Sequence, residues 1–443
     1  MQQDLLKQRR EQKLEMEEMM KRFMSKQPQL TKSEVTREYF LSSILYSPQP
    51  LEPTICGAGL VYVYGLPPAF NDDLLLNCHY YEPWSSRCQE PPNGGLGPHL
   101  TPIPSPSWYG THMFASEVMY HKRIMQHACR TTDPESATAF YIPFYAGVAL
   151  GKYLSTNYTY RDRDRLFEEL LTWLQDQPPW RRSNGLDHFI LLGRPTWDFQ
   201  RLRDDGWGTS FLHMPLMKQI VRLTIERAPW DQHDISVPYP TGFHPKSKLE
   251  LDQWLDFVTS LNNRTSLFTF AGAKREMKDD FRALLFSHCY NESGSCRAVD
   301  CSGYRCFGGT PEIREAFLDS DFCLQPRGDS YTRRSTFDCM LAGSIPVFFW
   351  RKSIEHQYEW FLGDEPDQFS VFIDQKDVRN GVSIKKVLEG YSREEVRRLR
   401  EKVISLIPNF IYGDGSGSGK DAFDIAIDGV LKKIKDQNKP NIR

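Results

Sequence analysis

Arg333 and Arg334 stand side by side just after a Gly328-Asp329-Ser330 turn, and Asp338 follows one helical turn beyond Arg334. Guanidinium forks match phosphate oxygens in pairs, so the grouping suits a diphosphate that gains charge as it leaves. Asp338 would accept hydrogen bonds from ribose hydroxyls. The elements needed to hold these side chains are written around them. Phe322 to Leu324 reads as a strand ended by the Pro326-Arg327-Gly328-Asp329 turn, and Ser330 and Thr332 are N-cap hydroxyls for a helix over about residues 333–342. Gly343 terminates that helix, and Ile345 to Phe349 is a second strand. Strand, polar turn, helix and strand in that order is how an α/β sheet builds an anion site, with backbone N–H groups left free. By composition alone, the same charges would more often be a solvated helix face, with Asp338 paired to an arginine.

Further motifs keep a fixed order along residues 57–433. They are Val61-Tyr62-Val63-Tyr64-Gly65-Leu66-Pro67, Trp108-Tyr109-Gly110-Thr111 with Phe114 and Glu117, the run FYIPFYAG from Phe140 to Gly147, Asp187-His188-Phe189 with Gly193-Arg194, Trp197-Asp198-Phe199, Phe270-Ala271-Gly272-Ala273 and Ile407-Pro408. Together with residues 321–350 this pattern resembles the exostosin-type glycosyltransferases (glycosyltransferase family 47), and within them the plant xyloglucan galactosyltransferases. The resemblance implies an α/β fold of GT-B type, with two Rossmann-like domains facing a central cleft. It implies inverting transfer of galactose from UDP-galactose to xylose side chains of xyloglucan in cell-wall biosynthesis. UDP-galacturonic acid, UDP-arabinose and UDP-xylose are alternative donors within the same framework. One departure is local: many relatives outside the plant branch place a single Arg where Ser335 stands, which leaves open whether Arg333 or Arg334 meets the phosphates.

On this reading the donor side comprises Gly272, Lys274, Arg275, Arg327, Gly328, Ser330, Thr332, Arg333, Arg334, Asp338, Gly343, Ile345 and Pro346. The acceptor side comprises Tyr64, Trp108, Tyr109, Arg194 and Trp197. An inverting displacement needs one base, and the candidates are Asp187, His188 and Glu117. Each has an ordinary alternative: a turn cap for Asp187, a satisfied core histidine for His188, an ion pair with Lys122 or Arg123 for Glu117. Arg194 equally suits a structural pair with Asp198. No Asp-X-Asp motif stands at a convincing strand end, so the expectation is a UDP-sugar donor and no obligatory metal or cofactor.

At 443 residues the chain is long enough for several domains, and its formal net charge of -2 offers no global attraction to nucleic acid. Paired-carboxylate hydrolysis fits poorly, because the strongest motif is cationic. A noncatalytic glycan-binding subunit of a Golgi glycosyltransferase complex is the second function class; such a complex or a homodimer would be its partner. The diphosphate-type constellation favours an enzyme.

Ten cysteines, with Cys289, Cys296, Cys301 and Cys306 crowded together, lack zinc-ribbon spacing and read as disulfides in a loop-rich insertion; Cys78 and Cys88 would close another loop. Asn157, Asn263 and Asn291 begin N-glycosylation sequons. The resemblance implies the Golgi lumen, although the membrane anchor usual in the family is missing, since no run approaches the roughly 18 apolar residues a membrane helix needs.

Four regions are expected: a charged helical stem over residues 1–48, an acceptor-side α/β domain over 49–245, a nucleotide-sugar domain over 246–410, and a C-terminal segment over 411–443 whose helix packs back on the first domain. Predicted strands are Leu60 to Tyr64, Ala139 to Pro143, Phe189 to Leu192, Leu267 to Phe270, Phe322 to Leu324, Ile345 to Phe349 and Val371 to Ile373, with a helix from Met113 to Cys129.

Overall fold

The structure, a computed structural model, describes residues 56–76, 78, 88, 91–100, 107–154, 158–275, 279–304, 306 and 310–437. The stem and Asn157 lie outside them. Short runs of apolar residues, Ala139–Ile142 and His188–Leu192 among them, are buried along their whole length, as strands covered on both faces must be. They join β1 (Val61–Val63), β2 (Arg130–Thr131), β5 (Val221–Thr224) and β6 (Asp234–Ser236). With β3 (Ala139–Ile142) and β4 (His188–Leu192), these strands form a parallel sheet in the order β2-β1-β3-β4-β5-β6.

A second parallel sheet follows, in the order β11-β10-β9-β7-β8. Its strands are β7 (Ser266–Gly272), β8 (Cys296–Asp300), β9 (Ser320–Gln325), β10 (Ile345–Phe348) and β11 (Val371–Phe372). Two doubly wound parallel sheets facing a shared cleft make this a GT-B type fold. In the second sheet β8 lies on one side of β7 and β9 on the other, so the crevice beyond the carboxyl ends of β7 and β9 is the topological switch point where α/β sheets bind ligands.

Strands β2, β5, β6 and β8 were not evident in the sequence. Arg222 in β5 pairs with Asp234 in β6 at 2.5 Å inside the core, and such charges hide a buried strand from any apolar pattern. Strand β8 occupies the cysteine-rich stretch expected to be a loop: Cys296 opens it and bonds Cys289 of the Phe281–Asn291 helix, while Cys301 and Cys306 pair just after it. The other bridges are Cys56–Cys129, Cys78–Cys88 and Cys323–Cys339. Among the described residues no helix is long and apolar enough to cross a membrane.

The last described helix, Ala422–Gln437, sits against the first sheet's Ser116–Met125 helix. Arg123 pairs with Asp421 at 2.8 Å, and Tyr120 meets Phe423 edge to face. The two sheets are tied directly as well: the Tyr358 hydroxyl donates to the Ile225 carbonyl at 2.8 Å, and its amide donates to the Ser236 hydroxyl at 2.6 Å.

Candidate functional site

Between the sheets lies a cleft of about 520 Å³. The second sheet contributes Gly272, Arg282, Gly328, Ser330, Thr332, Arg333, Arg334 and Asp338, and the first contributes Phe114, Arg194, Trp197, Trp207, Glu226 and Tyr239. The loop after β9 is shaped by Gly328, whose amide donates to the Thr332 carbonyl at 3.1 Å; a side chain there would collide with that same oxygen. Gly272 ends β7 under Arg333, and an added Cβ would sit 3.2 Å from the guanidinium.

Arg333 donates through Nη2 to the Ala271 carbonyl at 2.8 Å, while its buried Nη1 has no hydrogen-bond partner among the described residues. Desolvation, then repulsion from Arg282 and Arg275, lowers its pKa to about 9. Arg282 is lowered to about 10, by desolvation first and by Arg275 second. Crowded cations with an unmatched N–H are unfavourable unless an anion completes them. Arg275 is partly neutralised by Asp329, 2.5 Å away.

The helix after the turn differs from expectation in a way that matters. It runs over Ser335–Leu341, with both arginines in the turn before it and no side-chain N-cap. Thr332 instead meets the Tyr358 hydroxyl at 2.7 Å, and Ser335 donates to Gln325 at 2.7 Å. The Tyr331 amide, in the turn where backbone N–H groups were expected to be free, donates to Glu226 from the other sheet at 2.7 Å. The Tyr331 amide is thereby taken up by a contact between the two sheets.

The two adjacent arginines have different surroundings. Arg334 points across the cleft wall, donating to the Thr111 carbonyl at 2.5 Å and pairing with Asp338 at 3.2 Å. Asp338 has its pKa raised by desolvation, against the opposing pull of Arg334 and Arg314.

Residues 55–388 match the model of the Exostosin GT47 domain. The chain belongs to that family. It is 54% identical over 396 residues to xyloglucan galactosyltransferase XLT2 of Arabidopsis thaliana, covering 87% of this chain and 76% of that protein. Xyloglucan galactosyltransferase MUR3 of the same plant is 38% identical over 422 residues, covering 92% and 67%. The plant's xyloglucan-specific galacturonosyltransferase 1 is 36% identical over 389 residues, covering 86% and 58%.

This family 47 glycosyltransferase brings into the cleft Gly272, Gly328, Ser330, Thr332, Arg333, Arg334 and Asp338, with Arg194 and Trp197 opposite them. Several other residues singled out in the sequence lie elsewhere. Lys274 stands over the Phe286 ring at 5.6 Å, and exposed Arg327 stands over Trp350 at 5.1 Å. Gly343 takes φ 65° at the far end of the helix, facing Arg264, and Ile345 and Pro346 are buried within β10. Tyr64, Trp108 and Tyr109 are core rings: Tyr64 stacks on His188, Trp108 meets Trp254 edge to face, and Tyr109 lies against His99.

The candidate bases are also displaced. His188 opens β4, so Asp187 and His188 sit at the amino end of a five-residue strand, roughly 13 Å of chain from the carboxyl end that faces the cleft. His188 is wholly buried, bonded to Asp187 and Tyr64 at 2.7 Å each, and desolvation lowers its pKa. Glu117 is buried, accepting the Gly147 amide at 2.7 Å and the Gly193 amide at 2.8 Å. It braces the segments of Gly147 and Gly193 and is not among the described residues that line the cleft. Asn263 and Asn291 are exposed.

Glu226 was not singled out in the sequence. It stands two residues past β5, a strand that the sequence pattern did not reveal. Trp207 was missed too. It stacks on Trp197 with centroids 5.7 Å apart and planes 19° apart, and the two rings are 42% and 37% exposed. Asp198 locks the pair in place, accepting Trp207 Nε1 and Arg194 Nε at 2.7 Å each.

Proposed function

We propose that this protein is an inverting glycosyltransferase that moves galactose from UDP-galactose to xylose side chains of xyloglucan. The supporting observation is the arginine cluster at the switch point of the second sheet, where buried Arg333 Nη1 lacks a partner among the described residues and Arg282 and Arg275 crowd beside it. A diphosphate supplies the missing charge, and its β-phosphate gains further charge as the anomeric C–O bond breaks. Arg333, rather than Arg334, meets the phosphates, because Arg334 is already engaged by Thr111 and Asp338.

Trp197 and Trp207 offer a flat apolar face to the acceptor at the opposite wall. The galactosyl unit lies between, with its anomeric carbon open to the acceptor hydroxyl from the side away from the diphosphate. The names of the relatives favour galactose as donor sugar and xyloglucan as acceptor; the galacturonosyltransferase among them makes UDP-galacturonic acid the alternative donor. Five disulfides suit an oxidising lumen, and the Golgi lumen is the proposed compartment. A Golgi glycosyltransferase complex or a homodimer is the proposed assembly.

The cationic cluster stabilises the departing diphosphate, so the reaction is proposed to need no divalent metal, and activity is expected to survive exhaustive chelation. The decisive assay incubates purified protein with a panel of UDP-sugars and galactose-free xyloglucan oligosaccharides, then weighs the products. Addition of one hexose from UDP-galactose is expected. Transfer from no UDP-sugar would overturn the reading.

A further inference from the structure

We infer that Glu226 is the catalytic base. The inference rests on the transferase reading above and takes a cleft carboxylate in place of Asp187, His188 and Glu117. Glu226 lines the cleft from the carboxyl end of the first sheet, the wall assigned to the acceptor. Its backbone is held on both sides: the Thr196 amide and the Thr224 hydroxyl donate to its carbonyl at 3.1 and 3.2 Å, placing it beside the turn that carries Arg194. Its carboxylate reaches across to the donor loop, accepting the Tyr239 hydroxyl at 2.5 Å and the Tyr331 amide at 2.7 Å.

The other cleft carboxylates are committed to cations: Asp198 to Arg194, Asp329 to Arg275 and Asp338 to Arg334. Each of these three already spends an oxygen on a guanidinium partner. Glu226 makes no ion pair with Lys, Arg or His among the described residues, and burial raises its pKa to about 7 despite bonds from Tyr239, Ser330, Tyr331 and Thr332. The charged or titratable groups facing it are Tyr239, Tyr331 and Tyr358, all with pKa values raised by burial, so they stay neutral in the working range. An acid tuned near operating pH is the most effective base.

In the step itself, the acceptor hydroxyl oxygen forms a bond to the anomeric carbon. The bond from that carbon to the β-phosphate oxygen breaks, with its electron pair leaving on UDP. The hydroxyl proton passes to Glu226 and then to solvent. Products are the glycoside, UDP and one proton.

The test uses Glu226→Gln and Tyr239→Phe in the full chain. Glu226→Gln is expected to lower kcat at saturating donor and acceptor by roughly 100-fold or more, with UDP affinity by calorimetry within about threefold of the parent. The acidic limb of the wild-type pH–kcat profile is expected to move upward in Tyr239→Phe, because the lost hydrogen bond favoured the carboxylate. Retained kcat in Glu226→Gln, or a loss confined to UDP affinity, would overturn the assignment and leave Glu226 a strut for the donor loop. Should Glu226→Gln fail to fold, an unmoved limb in Tyr239→Phe overturns it alone. Absence of UDP binding and transfer in the wild type would instead sink the transferase reading beneath it.

Discussion

Replacing Arg333 by Met should strengthen the empty protein and weaken its ligand binding at once. Burial and two neighbouring guanidinium groups bring the Arg333 pKa down from the ordinary range to about 9. A fall of that size, at about 1.4 kcal/mol per pH unit, sets a ceiling of roughly 5 kcal/mol on what the cation costs the empty fold. The group keeps some contact with water, so the expected gain on removal is on the order of 1–2 kcal/mol. The sign follows from linkage: a base with a lowered folded-state pKa is least favourable when fully protonated, which holds at pH 7. With UDP the balance reverses. Losing one charge-assisted fork to phosphate costs about 3 kcal/mol, roughly a hundredfold in Kd. Thermal unfolding without nucleotide and calorimetric titration with UDP measure the two halves. A destabilised variant that binds UDP as tightly as the parent would refute the reasoning, since Arg333 would then be an ordinary structural cation.

Three further outcomes are expected. Trp207→Ala should raise the acceptor KM severalfold, consistent with about 1 kcal/mol of ring contact, while UDP affinity measured by calorimetry holds. Arg334→Met should destabilise the protein by about 2 kcal/mol in denaturant titration, because half-buried Asp338 is left without its Arg334 partner, and Asp338→Asn in the same chain should recover much of that loss. The double variant Cys323→Ser, Cys339→Ser frees β9 from the Ser335–Leu341 helix across a separation of 16 residues; a loss near 3 kcal/mol follows from loop-closure entropy, read as a lowered thermal midpoint.

The parts of this protein legible in sequence were those whose chemistry is local. Apolar runs such as Phe322 to Leu324 and Ile345 to Phe349 declare buried parallel strands by themselves, and Gly328 and Arg333 lie within a few residues of each other in one turn. What stayed hidden depends on contacts far apart in the chain. Glu226 meets Tyr331 across 105 residues, and Arg334 meets Thr111 across 223. No spacing rule brings such pairs together. For Asp187 and His188, adjacency to a strand is legible but its direction is not: in a parallel sheet the amino end of β4 lies opposite the carboxyl end that borders the cleft. The Ser330 and Thr332 hydroxyls misled for a related reason, since Tyr358 arrives from a later loop to take Thr332 out of the capping role. Trp207 belongs to a polar, Asp-rich loop, and its stacking on Trp197 is visible only in three dimensions.

The central claim is that the arginine-lined crevice beyond β7 and β9 holds the diphosphate of the donor. A crystal structure of the protein soaked with UDP tests it most directly. The account predicts phosphate oxygens within hydrogen-bonding distance of Arg333 Nη1 and beside Arg282, over the Gly272 turn. UDP bound elsewhere, with Arg333 Nη1 still unpartnered, would contradict it.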